Sequence, residues 1–157
     1  MHPLIAALAA PFVFSLSLLA HAASPIYPDV TRAAADVDAA IALARGSGRR
    51  VLVSFGGNWC GDCRVLDANF HKAQIASLLE KHFVLVHVNV GDRGIDSNFA
   101  IADRYGIPLK KGVPALAVLD GEGRLVYSQK NGEFESMSRM DPAAVNDFLR
   151  KWTKPAG

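Results

Sequence analysis

Cysteine is scarce in this sequence, which has two among its 157 residues. So few thiols exclude the small secreted scaffolds that depend on several disulfide bonds. An excess of charge is lacking as well, because 17 Lys and Arg face 15 Asp and Glu, for a net charge of +2. This balance gives no reason to expect nucleic acid or an acidic polymer as a partner. No internal repeat, low-complexity tract or long charge block is present either, so we expect one compact domain.

Long apolar runs are also rare, and the one exception lies near the N-terminus. Residues 4–20 are apolar apart from one proline and two serines, and Ala20-His21-Ala22 has the small-x-small pattern that signal peptidase recognises. We therefore expect residues 1–22 to be a cleavable export signal. The lack of Lys and Arg before the run leaves an uncleaved anchor as the alternative, although a stable span needs about 20 consecutive apolar residues. Export would place the cysteines in an oxidising compartment, the periplasm or the exterior.

The rest of the chain, about 135 residues after removal of the signal, has the length of a single domain with its own core. Residues 23–35 contain Pro25 and Pro28 and are interpreted as an N-terminal lead-in. The domain itself is expected to cover residues 36–157. It contains no further apolar run long enough to cross a membrane, so we expect a soluble protein, and a monomer.

Helical and extended patterns alternate along this domain. Continuous apolar runs predict strands that are buried on both faces, and apolar residues at helical spacing predict helices. This order, with a hairpin near the C-terminal end, predicts an α/β fold with a central mixed β-sheet flanked by helices on both faces. The predicted strands are 50–55, 83–90, 115–119 and 124–128, and the predicted helices are 36–45, 60–70, 73–82, 98–105 and 141–152, the last with Asp141 as N-cap and Pro142 in its first turn.

The two cysteines lie together in Trp59-Cys60-Gly61-Asp62-Cys63, directly after the first predicted strand. On a helix, residues i and i+3 share one face about 5 to 6 Å apart, close enough for the two sulfurs to be brought into bonding distance. If Cys60 is the N-cap of this helix, free backbone N–H groups and the helix dipole favour its thiolate. We therefore expect a thiol pKa below about 8.5 and assign Cys60 as the attacking sulfur.

Other uses of a Cys-x-x-Cys pair are less well supported. Structural zinc needs four ligands, and the histidines that follow have neither the spacing nor a second cysteine pair beside them. Covalent haem attachment needs a histidine after the second cysteine, where this chain has Arg64. A structural disulfide closing so short a loop would remove little chain entropy, yet it stays an open alternative. We expect no metal and no cofactor.

These motifs resemble those of the thioredoxin-fold family over residues 36–152. The similarity lies in the Trp-Cys-x-x-Cys after the first strand, the second strand, and Gly112-Val113-Pro114 before the third. The resemblance implies a thioredoxin fold with a cis bond at Pro114 facing the cysteines, and a Val113 backbone that pairs with the substrate chain. An ordinary proline that favours extended backbone is the alternative. Within this family the chain resembles small secreted thioredoxin-like proteins and the periplasmic reducing domains of transmembrane electron carriers.

The chain departs from the thioredoxin pattern at two buried positions. Ser54 stands where cytosolic thioredoxins have an aspartate in the strand before the cysteines, and His87 stands where they have a lysine in the next strand. The proton acceptor for Cys63 that the family uses is therefore missing. His87 is a possible proton relay, because an imidazole titrates near neutral pH. A histidine whose side chain is merely satisfied or exposed is the alternative.

The two residues between the cysteines, Gly61 and Asp62, bear on the direction of electron flow. An aspartate at position 62 repels a thiolate at Cys60 and makes the disulfide less oxidising. The sequence therefore predicts a reductant of disulfide-containing protein substrates, which an exported protein would have to recharge from a membrane electron donor. An oxidant that donates its disulfide, and a redox-inactive binding or chaperone module, are the alternatives.

The expected mechanism is dithiol exchange, in which Cys60 attacks a disulfide and Cys63 resolves the mixed disulfide. Trp59 is expected to form an apolar wall beside the site, unless it serves only for packing. Gly57 and Gly61 are expected to keep the backbone slim enough for a substrate to approach. The predicted substrate-binding residues are Trp59, Gly61, Asp62, Val113 and Pro114.

Overall fold

The computed structural model describes residues 24–141 and 143–153. The predicted export signal at residues 1–22 lies outside the described residues. So do Pro142, which the sequence places in the first turn of the last helix, and the last four residues of the predicted domain.

A four-stranded mixed sheet forms the centre of the fold. Its strands are β1 (Arg50–Gly56), β2 (Phe83–Asn89), β3 (Ala115–Leu119) and β4 (Leu125–Ser128), and their order across the sheet is β2-β1-β3-β4. Strands β1 and β2 run parallel, whereas β1 with β3 and β3 with β4 run antiparallel. This sheet confirms the predicted mixed α/β class.

Within the described residues, five α-helices connect and cover the strands. They are α1 (Ala33–Ser47), α2 (Gly61–Phe70), α3 (Ala73–His82), α4 (Phe99–Arg104) and α5 (Ala144–Lys151). Single turns of 3-10 helix occur at Val30–Arg32, Leu109–Lys111 and Met137–Arg139, and the sequence predicted none of them, because three residues carry no periodicity.

Helices lie on both faces of the sheet because successive side chains of a strand point to opposite sides. Val51, Val53 and Phe55 of β1 join one buried cluster with α1 and α4, while Leu52 joins a second cluster with α2, α3 and α5. Both clusters consist of apolar side chains that are almost fully buried. The predicted arrangement of helices on both faces is confirmed.

The start of α1 differs from its prediction. The helix begins at Ala33, inside the segment that the sequence assigned to a lead-in, and ends before Gly48, whose φ of 68° is the left-handed conformation that terminates helices. Ala33, Val37, Ala40 and Ala44 form its buried face. The small, weakly patterned alanines at its start explain why apolar spacing located the helix but not its first turn.

The segment before α1 is packed into the fold, although it was predicted as a lead-in. Tyr27 is 1% exposed. The Asn58 side chain accepts a hydrogen bond from the Tyr27 N–H at 3.0 Å and donates one to the Tyr27 carbonyl at 2.8 Å. Asn89 and Asn98 donate bonds of 2.8 and 2.9 Å to carbonyl oxygens further along the segment. Three side chains from three loops or strand ends thus hold the described part of this segment, whose own regular structure is one 3-10 turn at Val30–Arg32.

Candidate active site

The cysteine pair sits where β1 passes into α2. Cys60 is the N-cap of α2, with extended backbone angles, and its sulfur accepts a hydrogen bond of 3.1 Å from the Cys63 N–H. The two residues form a disulfide, with their Cα atoms 5.2 Å apart. Cys63 is fully buried and Cys60 retains 6% exposure. Cys60 is therefore the sulfur that a partner can reach.

The helix end also determines how the two sulfurs differ chemically. A sulfur at the N-cap receives a backbone N–H bond and the positive end of the helix dipole, both of which favour a thiolate. Cys63 lies inside the first turn, where burial disfavours a charge. The arrangement thus favours ionisation of Cys60 over that of Cys63.

Val113 and Pro114 face the pair from the loop before β3. The Val113–Pro114 peptide bond is cis, and the Val113 carbonyl oxygen lies 3.6 Å from Cys60 Sγ. In the disulfide this sulfur carries no proton, so the approach is a contact and not a hydrogen bond. The sequence placed these two residues together with Cys60, and the structure brings them together.

Gln129 supports this loop, and the sequence did not predict this role. Its side chain is buried, accepts a hydrogen bond of 3.0 Å from the Leu116 N–H, and donates one of 3.4 Å to the Pro114 carbonyl. A lone glutamine after a hairpin strand gives no sequence signal, because its role depends on a backbone thirteen residues away.

Trp59 lies at the rim of the site and is 38% exposed. Its indole N–H donates a hydrogen bond of 2.8 Å to the Gly91 carbonyl. A Cβ on Gly57 would collide with the indole ring, so Gly57 makes room for Trp59, whereas the sequence assigned that room to a substrate. Gly61 is exposed, and a Cβ there would meet nothing within 4 Å.

Asp62 has a structural partner in addition to its charge. Its carboxylate accepts a hydrogen bond of 3.0 Å from the Ser138 N–H, in the single 3-10 turn at Met137–Arg139. Met137 of that turn is buried against the α2 side of the sheet. Asp62 thus ties the segment before α5 to the first turn of α2 while keeping a negative charge beside Cys60.

His87 belongs to a small polar cluster on the α2 side of the sheet. It is paired in register with Ser54 of β1, and its Nε2 lies 3.4 Å from one carboxylate oxygen of Asp67. His71 contacts the other oxygen at 3.3 Å. Burial lowers the pKa of His87, the Asp67 carboxylate opposes this shift without cancelling it, and His71 adds to it. His87 is therefore neutral at pH 7.

Tyr27 completes this cluster and was missed from the sequence. Its hydroxyl and the Ser54 hydroxyl lie 3.2 Å apart in a hydrogen bond, and its ring packs edge to face on His87 with centroids 5.0 Å apart. A Cβ on Gly56 would lie 2.7 Å from Cys63 Sγ and closer still to the Tyr27 hydroxyl. Hydroxyl and sulfur therefore face the same narrow gap beside Gly56. The only signal in the sequence is an aromatic residue between two prolines.

Neither a metal centre nor a membrane span is found in the part of the chain that the structure describes. Within residues 24–141 and 143–153, no three His, Cys, Asp or Glu side chains are grouped so that they could hold a metal ion. No helix among these residues has the length and apolar character needed to cross a bilayer.

Comparison with known proteins gives a consistent result. A family described as Thioredoxin-like matches residues 32–121. The solved structure of a disulphide isomerase from Xylella fastidiosa Temecula1 is 32% identical, with a TM-score of 0.76 over 83% of this chain and 98% of that one. A thioredoxin from Thermus thermophilus is 25% identical, with a TM-score of 0.53 over 73% of this chain and 81% of that one.

Curated relatives are much longer than this chain. A protein disulfide-isomerase from Ricinus communis is 28% identical over 106 residues, which are 68% of this chain and 19% of that protein. One from Hordeum vulgare is 28% identical over 109 residues, 68% of this chain and 18% of that protein. The chain thus matches about a fifth of the length of these relatives.

The gap beside Gly56 predicts the effect of a single added methyl group. Gly56→Ala places a Cβ against Cys63 and against Tyr27, which Asn58 holds in place, so neither neighbour can yield easily. We expect a loss of about 1–3 kcal/mol in the free energy of unfolding, measured by urea titration of the oxidised protein. The matched control is Gly61→Ala, whose Cβ meets open space and should change stability by less than about 0.5 kcal/mol. Equal losses in the two variants would contradict the prediction.

Proposed function

The chain belongs to the Thioredoxin-like family, and from this premise we propose that it is a protein-disulfide reductase. As a thiol-disulfide oxidoreductase it has the two parts that the chemistry needs, an accessible sulfur and a resolving sulfur. The observation that carries the proposal is the asymmetry of the pair. Cys60 caps a helix and is reachable, whereas Cys63 is sealed beneath it.

Reduction proceeds in two exchanges. The Cys60 thiolate attacks one sulfur of a substrate disulfide, a bond forms between them, and the other substrate sulfur leaves as a thiolate that takes a proton from water. Cys63, once deprotonated, attacks Cys60 Sγ, and the bond between Cys60 and the substrate breaks. The substrate gains two electrons and the protein ends with the Cys60–Cys63 disulfide.

The substrate chain is proposed to dock where the backbone near Cys60 is open. The Val113 carbonyl lies 3.6 Å from Cys60 Sγ, so an extended chain that brings its disulfide to Cys60 passes along Val113 and Pro114. Trp59 and Gly61 are the chain neighbours of Cys60; the Trp59 side chain is partly exposed and the Gly61 backbone has open space around it. Asp62 lies two residues after Cys60 in the chain, and its carboxylate accepts a hydrogen bond from the Ser138 N–H.

His87 is proposed to take the proton of Cys63 in the resolving step. Neutral imidazole can accept a proton, and the Asp67 carboxylate at 3.4 Å stabilises the imidazolium that forms. Tyr27 lies between the two residues, because its ring packs on His87 and its hydroxyl faces the gap beside Cys63, so a water molecule is proposed to carry the proton past the ring. The side chain of His87 is 17% exposed, which lets it return the proton to water.

The reducing direction rests on Asp62. Its charge beside Cys60 disfavours the dithiolate form, and so favours an oxidised protein that has given its electrons away. The helix N-terminus acts in the opposite sense, because it stabilises the Cys60 thiolate. Charges in a partly exposed first turn are weakened by solvent, so we expect a modest preference for reduction.

The setting of the reaction is proposed from the sequence. An export signal at residues 1–22 would deliver the protein to the periplasm, where a reductant needs a membrane electron donor to restore its dithiol. Disulfide-containing proteins would be the substrates, and a monomer suffices, because one chain supplies both sulfurs and the docking loop.

Disulfide isomerisation is the second candidate function. The names of the relatives from Xylella fastidiosa and Ricinus communis favour it. An isomerase uses the same first attack but lets a substrate thiol, in place of Cys63, resolve the mixed disulfide. The balance between the two functions depends on how fast Cys63 attacks.

Single cysteine replacements test the assigned order of attack. With oxidised insulin as substrate, Cys63→Ser should accumulate a mixed disulfide at Cys60, because the resolving thiol is gone. Cys60→Ser should form none and lose reduction down to the level of buffer, because Cys63 is sealed from the substrate. Mass spectrometry after acid quenching measures both. Insulin reduction by both variants at the wild-type rate would contradict the mechanism.

The reduction potential of the pair tests the direction. We expect a value near about −270 mV, as for thioredoxin, measured by equilibration with dithiothreitol and mass analysis of trapped thiols. Asp62→Asn removes the charge but keeps an oxygen for the Ser138 N–H, and should raise the potential by about 10–30 mV. A value near about −180 mV would favour the isomerase, and one near about −120 mV would reverse the direction.

The role of His87 predicts a pH dependence. Because burial lowers its pKa, wild-type resolution should keep its rate to a lower pH than a solvent-exposed imidazole base would allow, and should decline once the His87 imidazole is protonated. His87→Gln should slow the attack of Cys63 on the mixed disulfide about tenfold or more at pH 7. The decline of this rate at acid pH should disappear in the same variant. Stopped-flow kinetics measures the rate. His71→Gln, on the other oxygen of Asp67, is the matched control. Unchanged resolution in His87→Gln would refute the relay.

A further inference from the structure

The Tyr27 hydroxyl borders the same narrow gap beside Gly56 as the sealed Cys63 sulfur, and the mechanism has given it no role as a hydrogen-bond donor. We propose that the Tyr27 hydroxyl donates a hydrogen bond to the Cys63 thiolate and so positions and stabilises it for the resolving attack. The inference rests on the proposed function, because it concerns the second exchange of that reaction. It assigns a role to a residue from the segment that precedes the first helix.

The geometry beside Gly56 supports this assignment. The Tyr27 hydroxyl and Cys63 Sγ both lie within 3 Å of the point that a Gly56 Cβ would occupy. In the oxidised protein the sulfur is bonded to Cys60 and the hydroxyl pairs with Ser54 at 3.2 Å. Opening of the disulfide frees the sulfur to turn into the gap, where the hydroxyl already stands.

The hydroxyl is held in place before the sulfur is reduced. Tyr27 is 1% exposed, its backbone is bound on both sides by the Asn58 amide, and its ring packs on His87. The Ser54 hydroxyl can donate to the Tyr27 oxygen while Tyr27 donates to the sulfur. A donor that is already oriented loses little entropy when the thiolate forms.

Other groups around Cys63 do not supply such a donor. On α2, Asp67 lies one turn further along the helix and its negative charge opposes a thiolate, while His71 is turned to the Asp67 carboxylate. On β2, His87 also has its Nε2 on Asp67. Cys60, at the N-cap, is the sulfur under attack. Among the described residues that face the gap, the two hydroxyls of Tyr27 and Ser54 are the neutral donors.

Tyr27 donates a hydrogen bond to the sulfur but does not lose its own proton. Burial raises the pKa of its hydroxyl to about 12, against the lowering effect of the Ser54 hydrogen bond, so the phenol stays protonated throughout the neutral range. In the resolving step the Cys63 proton passes to His87 and then to water. The bond between Cys63 and Cys60 forms, the bond between Cys60 and the substrate breaks, and the departing thiolate takes a proton from water.

The test separates the two exchanges in time. Reduced protein mixed with dithiodipyridine releases one thiopyridone when Cys60 attacks and a second when Cys63 resolves, and stopped-flow absorbance follows both. We expect Tyr27→Phe to leave the first phase unchanged. The pH at which the second phase reaches half its maximum should rise by about one unit, the effect of losing one hydrogen bond to a charged group. The second phase should therefore slow about tenfold on the acid limb of its pH profile, and by a smaller factor at pH 7.

Tyr127→Phe is the matched control, because it removes a hydroxyl from a ring that packs on Phe148 and Trp152, in the cluster that contains α5. It should leave both phases as in wild type. If Tyr27→Phe does not fold, Ser54→Ala takes its place, and a smaller slowing confined to the second phase is expected.

Two results would overturn the inference: phases identical to wild type in Tyr27→Phe, or an equal slowing of both phases, which indicates a general structural role. Failure of the proposed function has a different signature. In that case wild-type protein itself would release no thiopyridone from Cys60, would show no second release, or would show both releases and yet leave insulin unreduced, whatever residue stands at position 27.

Discussion

The burial of Cys63 is the constraint on which the rest of the site depends. A sulfur sealed between α2 and β1 needs a strand residue without a side chain beneath it, and Gly56 is that residue. It also needs a neighbour that fills the remaining space without adding charge, and Tyr27 does so. Cys60 can then occupy the N-cap, almost one helical turn before Cys63, where it keeps some exposure to solvent. The two sulfurs acquire opposite environments although only two residues separate them.

Below the cysteine pair, the polar groups nearest to Cys63 are neutral and the charged group lies farther away. The Tyr27 hydroxyl borders the same gap as the sulfur and is hydrogen-bonded to Ser54, and His87 packs against the tyrosine ring. The Asp67 carboxylate lies beyond His87 and contacts two imidazoles. A carboxylate directly under the sulfur would be costly to ionise in so little water. In this cluster the hydroxyls are hydrogen-bonded to each other and the imidazoles are paired with the carboxylate, so each buried polar group has a partner.

Much of the fold follows from local pattern. The apolar runs locate β3 and the helical spacing locates α3 with correct bounds, and the Cys-x-x-Cys after a strand gives the N-cap, because these signals lie within a few residues of one another. Tyr27, Gln129 and Asp67 escaped sequence reasoning, since each acts through contacts with distant segments and none lies in a motif. The segment at 23–35 escaped for the same reason. Its prolines indicate extended chain, but only the asparagines of other loops show that it is bound.

The asparagine contacts to the segment around Tyr27 have a consequence for where the functional unit begins. Judged by secondary structure alone, the protein starts at Ala33 with α1, and every strand of the sheet lies after that point. A chain cut there would keep its hydrogen-bonded framework and lose the phenol that closes off Cys63, leaving a hole into which water could pass to the inner sulfur. The functional unit therefore begins several residues before α1, because Tyr27, which covers the Cys63 sulfur, lies there.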